Sequence, residues 1–393
     1  MRSALRWLTT ICAGACLLTS TAVSKEVQGI SPAPLRDICN GPQLTTVLEA
    51  NEQMHAAQAH WLDASLLHWS GQTNNASGHT FSLLTSRQSQ LKVQAGHSAE
   101  GVEQRFPLIT AQGPVSQTIG QRFAFIKPGV LLQMPHLPVA TRRALHTQQT
   151  LLVREDTEGR VVAATRVQVA GALDTLFAPT AHKLNFGPQF QDKLVSLTLW
   201  APTAQQVLLC LYPGATTPAS QIQPLLRDSA SGSWSARLPA SAANTYYRFA
   251  ITVHVPGVGL VRNLVTDPYA VSLSANSLRS QILDLNDTAL QPADWMRDTP
   301  PATVRQATDM VIYELHVRDF SISDDSVPVA DRGKYLAFTH GQSRGMQHLK
   351  ALARAGLAHL APRLQMPLSP ARVWALMQAV EKDLAYQISS FKC

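Results

Sequence analysis

This 393-residue chain is short of charge: Asp, Glu, Lys and Arg supply 15% of its residues, and 45% are hydrophobic. An average globular protein carries about a quarter charged residues, so the composition excludes a disordered or solvating chain and predicts packed cores, with length for two to four domains. The net charge is +7, yet the Lys and Arg residues are scattered, without a run of five or more and without a basic stripe interleaved with aromatics. That argues against a nucleic-acid partner. Cysteine is scarcer still. Beyond the first 24 residues only Cys39, Cys210 and Cys393 remain, odd in number and far apart, a spacing that reads neither as a disulfide framework nor as a zinc site. No cofactor or metal is expected.

The one apolar run at the N-terminus, Leu8 to Leu18, is near a dozen residues long, whereas a membrane-crossing helix needs about 20. Arg2 and Arg6 precede it, and Ser20, Thr21, Ala22 and Ser24 follow it, the order of a secretory signal. Residues 1–24 are therefore expected to be removed on export, leaving no membrane span and a secreted, periplasmic or outer-surface protein. Ala13-Gly14-Ala15-Cys16 imitates a lipoprotein cleavage box poorly, and lipid attachment at Cys16 stays open.

Residues 44–69 read first as helix-rich and then as strand. Short stretches follow at 81–84, 91–93, 151–153 and 161–163, broken by Gly, Asn, Ser and Pro at close intervals, as in an all-β domain. A first β-rich domain is placed at 25–175 and a second at 176–290. In the second the expected strands are 195–200, 206–212, 233–238, 246–253 and 260–265, separated by Pro202, Gly214, Gly232 and Gly257, the size and rhythm of an immunoglobulin-like sandwich. After Pro300-Pro301 the grammar changes. Residues 310–317 form a near-continuous apolar run of the kind buried on both faces in a parallel sheet, and Met346, Leu349, Leu352 and Ala353 fall at helical spacing before Gly356, a C-cap position.

Val311-Ile312-Tyr313-Glu314-Leu315-His316-Val317-Arg318-Asp319-Phe320 resembles the first barrel strand of the pullulanase branch of glycoside hydrolase family 13, and residues 345–357 resemble the helix that follows it. Leu197-Thr198-Leu199-Trp200-Ala201-Pro202 is similar to the first strand of a family-48 carbohydrate-binding module, and Asp267-Pro268-Tyr269-Ala270 to its exit. Residues 59–63 look like the N-terminal domain peculiar to that branch. The resemblance spans about 30–360. It implies a mainly β chain: two immunoglobulin-like β-sandwich domains at 25–175 and 176–290, then an incomplete (β/α) barrel fragment at 291–360, with 361–393 as a divergent tail. In that tail Val373, Leu376, Met377, Val380, Leu384 and Ile388 share one helical face behind Ser369-Pro370, as in an amphipathic helix.

The resemblance also implies an α-glucan partner and hydrolysis of α-1,6-glucosidic bonds, which takes two carboxyl groups about 5 Å apart. A whole barrel takes about 250 residues; about 85 lie between Thr308 and Cys393, and neither catalytic motif is among them. No residue is assigned a catalytic role, and the chain alone is expected to be inactive; a stand-alone glucan-binding protein is the alternative. Glu314 and Asp319 read as hydrogen-bonding groups around the strand, His316 as a core histidine, and Asp324-Asp325 as a solvated turn with no third carboxylate for calcium. Trp200 and Trp234 are the candidates for stacking on a sugar ring, with core packing as the competing role for both, as for Trp61 and Trp69.

Overall fold

The structure is a computed structural model that describes residues 38–73, 78–291, 297, 306–357 and 359–363. The expected signal segment 1–24 and the tail helix beyond residue 363 lie outside the described residues. Strand β1 (Thr45–Ala50) comes first. Strands β2 (Ala59–Trp61), β3 (Leu66–Ser70), β4 (Thr80–Ser86), β5 (Gln104–Thr110), β6 (Gly129–Gln133), β7 (Gln149–Glu155), β8 (Val161–Thr165) and β9 (Val167–Gln168) then make one eight-stranded sheet in the order β8-β7-β4-β5-β6-β3-β2-β9. Residues 104–108 of β5 pair with β4, while Ile109 and Thr110 pair with β6. The sheet bends there, so Trp61, Trp69 and Leu132 from one half meet Phe81, Leu83 and Leu152 from the other in one core. Two separate immunoglobulin-like sheets are expected for this domain; one continuous sheet folded over itself is found, because β5 is long enough to serve both halves. Alternation fixes the register: Leu152 faces that core, while Leu151 and Val153 face a second cluster with Leu84 and Leu91, as period-two side chains must. Residues 91–93, expected as a strand, contribute only an isolated bridge from Lys92 to Glu100.

The second domain is a sandwich of two antiparallel sheets. One is formed by β10 (Gly187–Gln191), β11 (Leu194–Trp200), β15 (Ser233–Pro239) and β14 (Leu226–Asp228), in that order. The other runs β1, β17 (Gly259–Val265), β16 (Tyr246–Val255), β12 (Gln206–Tyr212) and β13 (Gln221–Pro224), with β18 (Ser280–Gln281) on β16. Val195, Leu197, Leu199, Val207, Leu209, Trp234, Leu238, Tyr247 and Phe249 fill the space between the sheets. All five strands expected for this domain are present within two residues at each end.

Two corrections come from upstream. Thr45–Ala50 is a strand where a helix-rich stretch is expected, and it pairs antiparallel with Gly259–Val265 rather than with the first domain. Cys39 and Cys210 form a disulfide across 171 residues, where the spacing alone suggests no pairing. Three further contacts fix this segment: Cys39 and Cys210 sit in one cluster with Tyr212 and Leu264, the Tyr212 hydroxyl donates to the Cys39 carbonyl at 2.7 Å, and Ala219 N–H donates to Asn40 Oδ1 at 2.7 Å.

The two domains share a joint. Trp200 points away from its own sandwich and packs on the first domain's core, the cluster that contains Phe177. Gln205 Nε2 donates to the Arg87 and Thr147 carbonyls at 2.9 and 3.0 Å, and Asn51 Nδ2 donates to those of Ser89 and Leu91 at 2.7 and 2.9 Å. Gly232, at φ +70°, closes the approach: a Cβ there would lie 2.6 Å from Pro202 and 3.0 Å from Phe177.

Strand β19 (Ile312–His316) pairs parallel with β20 (His359–Arg363), with the helix Arg344–Arg354 between them in sequence. Met346 and Leu349 of that helix pack on Leu315, Val317, Tyr335 and Phe338. Burial on both faces is expected for β19; instead Ile312 is 63% exposed and only Leu315 of the strand is buried, since the helix covers one face and β20 pairs one edge.

Candidate functional site

The expected sugar-stacking residues are placed first by strand alternation. Trp234, on β15, faces the interior of the sandwich, is 6% exposed, and donates its Nε1–H to the Ala201 carbonyl at 3.0 Å. The Arg227 guanidinium lies over its ring, 5.7 Å from the centroid. Trp200, on the outward side of β11, is half-buried in the joint and donates Nε1–H to the Ser231 carbonyl at 2.9 Å. Trp61 and Trp69 are buried in the first core. The aromatic surface that remains open is elsewhere. Tyr269 stacks on Phe186 with centroids 4.7 Å apart, and Phe125 is 74% exposed beside Phe123 and His60. Tyr269 stands out in the sequence only as part of the exit motif 267–270 and Phe125 not at all, because exposure of a single aromatic depends on which loop carries it.

Tyr269 is held by a buried polar group. Asp267 Oδ1 accepts from Tyr269 N–H at 2.8 Å and Oδ2 from the Tyr247 hydroxyl at 2.7 Å, while Asp267 N–H donates to Ser280 Oγ at 2.8 Å. Burial pushes the Asp267 carboxyl above the usual carboxylate range; burial and then the nearby Asp267 charge push the Tyr247 phenol up. A buried carboxylate needs such donors. The Asp267-Pro268-Tyr269 motif thus anchors the exit of the sandwich and fixes the exposed Tyr269 ring.

Around β19 the carboxylates do different work from a paired acid and base. Asp319 lies on the short helix Val317–Ser321, 3.1 Å from Arg318 and 3.6 Å from the half-buried Nδ1 side of His316. Glu314 lies on the strand itself, with an exposed side chain. Asp324 is not the solvated turn residue expected. It accepts from Ser326 N–H and Oγ–H, from Arg344 Nε at 3.2 Å and from Gly345 N–H at 3.3 Å, and these bonds, the Ser326 hydroxyl foremost, hold its carboxyl down to about 2. It ties the loop to the first turn of the helix Arg344–Arg354, where a negative charge is favourable. Asp325 stays exposed and pairs with Arg344. Among the described residues no group of three or more His, Cys, Asp or Glu side chains is arranged to hold a metal, and no helix is long and apolar enough to cross a membrane.

A cleft of about 320 Å³ lies at the joint, walled by the crossing segment with Gln53, His55 and Ala57, by residues 146–151, by residues 166–169, and by Val253, His254, Pro256 and Gly257. Burial holds His146 and His254 down to about 4. His55 is also lowered, by burial and then by the Arg166 charge. These groups are far apart in the chain and meet only when the domains dock, so no spacing rule could have found them.

Residues 56–175 match the Pullulanase N2 domain family, and residues 185–270 match carbohydrate-binding module 48, the isoamylase N-terminal domain. A pullulanase of Klebsiella pneumoniae is 38% identical over 308 residues, 77% of this chain and 27% of that protein. The chloroplastic pullulanase 1 of Arabidopsis thaliana is 33% identical over 309 residues, 77% of this chain and 31% of its own length. Among solved structures, apo pullulanase of K. pneumoniae is 36% identical with a TM-score of 0.68, covering 79% of this chain and 33% of that one. The maltotriose complex of PulA from the same organism is 37% identical, also at 0.68, covering 79% and 33%. The chain therefore spans about a third or less of the length of these relatives. The chain contains a Pullulanase N2 domain joined to a family-48 carbohydrate-binding module, and it is similar to the N-terminal part of pullulanases.

Proposed function

We propose that this chain is the α-glucan-binding N-terminal part of a pullulanase-type debranching protein and that, alone, it does not hydrolyse α-1,6-glucosidic bonds. The observation that carries the reading is the 38% identity to a pullulanase over 308 residues, together with the two matched domains. The parallel pair β19 and β20 with its intervening helix supports placing the start of a (β/α) barrel at 291–360. Hydrolysis needs an acid and a nucleophile facing each other across the bond, whereas Asp324 is consumed in four hydrogen bonds to its own loop and helix. Glucan contacts are assigned to the open rings of Tyr269 and Phe125, which can stack on sugar C–H groups, in preference to Trp234 inside the sandwich. Export through residues 1–24 is supported by the Cys39–Cys210 disulfide, since such bonds persist in oxidising compartments.

Affinity electrophoresis of residues 25–393 in gels containing pullulan or starch tests the binding half. Retardation is expected, weakened by Tyr269→Ala or Phe125→Ala without a change in circular dichroism; unretarded migration of the parent chain refutes it. An overnight reducing-sugar assay on pullulan tests the other half, and release of maltotriose by the pure chain overturns it. The alternative, a stand-alone exported glucan-binding protein, is favoured by one feature: each β domain closes its own core. It shares the first result and separates from the main reading if no sequence for the remaining barrel lies downstream in the genome.

A further inference from the structure

The cleft at the joint has a chemistry that the glucan reading does not use. Its walls carry four groups able to bear positive charge, one from each segment: His55 from the crossing chain, His146 from the segment after the helix Val139–Leu145, Arg166 from the break between β8 and β9, and His254 from the end of β16. Among the described residues no Asp, Glu or Lys lines it. Arg166 donates Nε–H to the His55 carbonyl at 2.6 Å and its backbone N–H to the Ala56 carbonyl at 2.9 Å, which fixes the guanidinium root. Among the described residues it forms no ion pair, so the remaining donors of its planar fork have no carboxylate partner. Nε2 of His55 and Nε2 of His146 likewise lack a hydrogen-bond partner, and unpaired buried polar atoms in a native fold call for a reason. Thr147, Thr150 and Thr203 add hydroxyl-bearing side chains to the walls.

We propose that this interdomain cleft is a binding site for a small oxyanion, a phosphate or carboxylate group, received by the Arg166 guanidinium. A guanidinium presents two parallel N–H groups that match the oxygens of either anion, and a concave site shared by two domains is where small ligands commonly bind. The volume, about 320 Å³, leaves room for a sugar-sized group attached to the anion. Because its walls come from both domains, an occupant bridges them. A bound anion favours protonated imidazoles, so His55 and His254, which the Arg166 charge already influences, gain protons on binding. Binding is therefore expected to tighten as the solution is acidified, within the range where the fold persists.

Isothermal titration of the full chain with sulfate, whose charge is constant over this range, reads the site directly. Saturable binding is expected, weakened at least about tenfold by Arg166→Gln, as for loss of a charged hydrogen-bond donor, and partly kept by Arg166→Lys. His254→Gln is expected to weaken binding at acid pH and so to flatten its pH dependence. If Arg166→Gln fails to fold, histidine NMR of the parent chain substitutes: the His55 and His254 ring signals should titrate at higher pH with sulfate than without. Parallel titrations with inorganic phosphate, glucose 6-phosphate and glucose separate the sources. Tighter binding of the sugar phosphate than of phosphate assigns an ester-borne anion, and equal binding assigns a free one; binding of glucose as tight as glucose 6-phosphate overturns the proposal. So does the absence of saturable sulfate binding, or unchanged binding in a folded Arg166→Gln variant.

Discussion

Tyr247, Asp267 and Ser280 show how much a single hydroxyl can matter in a buried polar group. Removing the Tyr247 hydroxyl leaves Asp267 Oδ2 without its 2.7 Å donor in a site closed to water. Tyr247→Phe is therefore expected to destabilise the second domain by about 1–3 kcal/mol, measurable as a lower urea midpoint with an unchanged slope. The joint histidines give a pH dependence of definite sign. Their folded values, about 4 for His146 and His254, lie below the free value of 6.5, so the unfolded chain binds protons that the folded one refuses. The stability is intact above pH 6.5 and is lost as pH falls towards 4, by about 3 kcal/mol for each group at most. Urea titrations across that range should show the decline, and His254→Gln should remove part of it.

At the scale of elements, the strands of the second domain were readable because burial alternates along them: Val195, Leu197 and Leu199 point in, Ser196, Thr198 and Trp200 out. The same rule does not choose between the two roles weighed for Trp200, sugar stacking and core packing. Alternation shows that a residue points away from its own core, but not that another domain covers it. Strand β1 escaped for the opposite reason, since all six of its residues are exposed and its partner β17 lies at the far end of the domain, leaving no apolar period to read. The Cys39–Cys210 bond was equally hidden, because distance along the chain says nothing about distance across a sandwich. That bond anchors β1, and its chain-entropy contribution for a 171-residue span is about 5 kcal/mol at most. Reduction is expected to lower the calorimetric melting temperature of the second domain, and Cys39→Ser to abolish the difference between oxidised and reduced samples.

For the molecule as a whole, the joint sets whether the two β domains behave as one body. Trp200 contributes packing to the first domain's core and a hydrogen bond to its own. Trp200→Ala is expected to cost about 3–5 kcal/mol, most of it in coupling between domains, so one calorimetric transition should split into two. Trp234→Ala, by contrast, should unfold the sandwich that contains it. The anion cleft depends on this docked arrangement and could not be read before the domains were placed together.

The disulfide also decides how the molecule answers a mechanical load. A pull applied at its two ends passes from Cys39 directly to Cys210, and residues 40–209, the whole folded-over first domain included, carry none of it. Single-molecule stretching should therefore miss about 600 Å of extensible chain until a reductant is added, after which that hidden length should appear in the force trace.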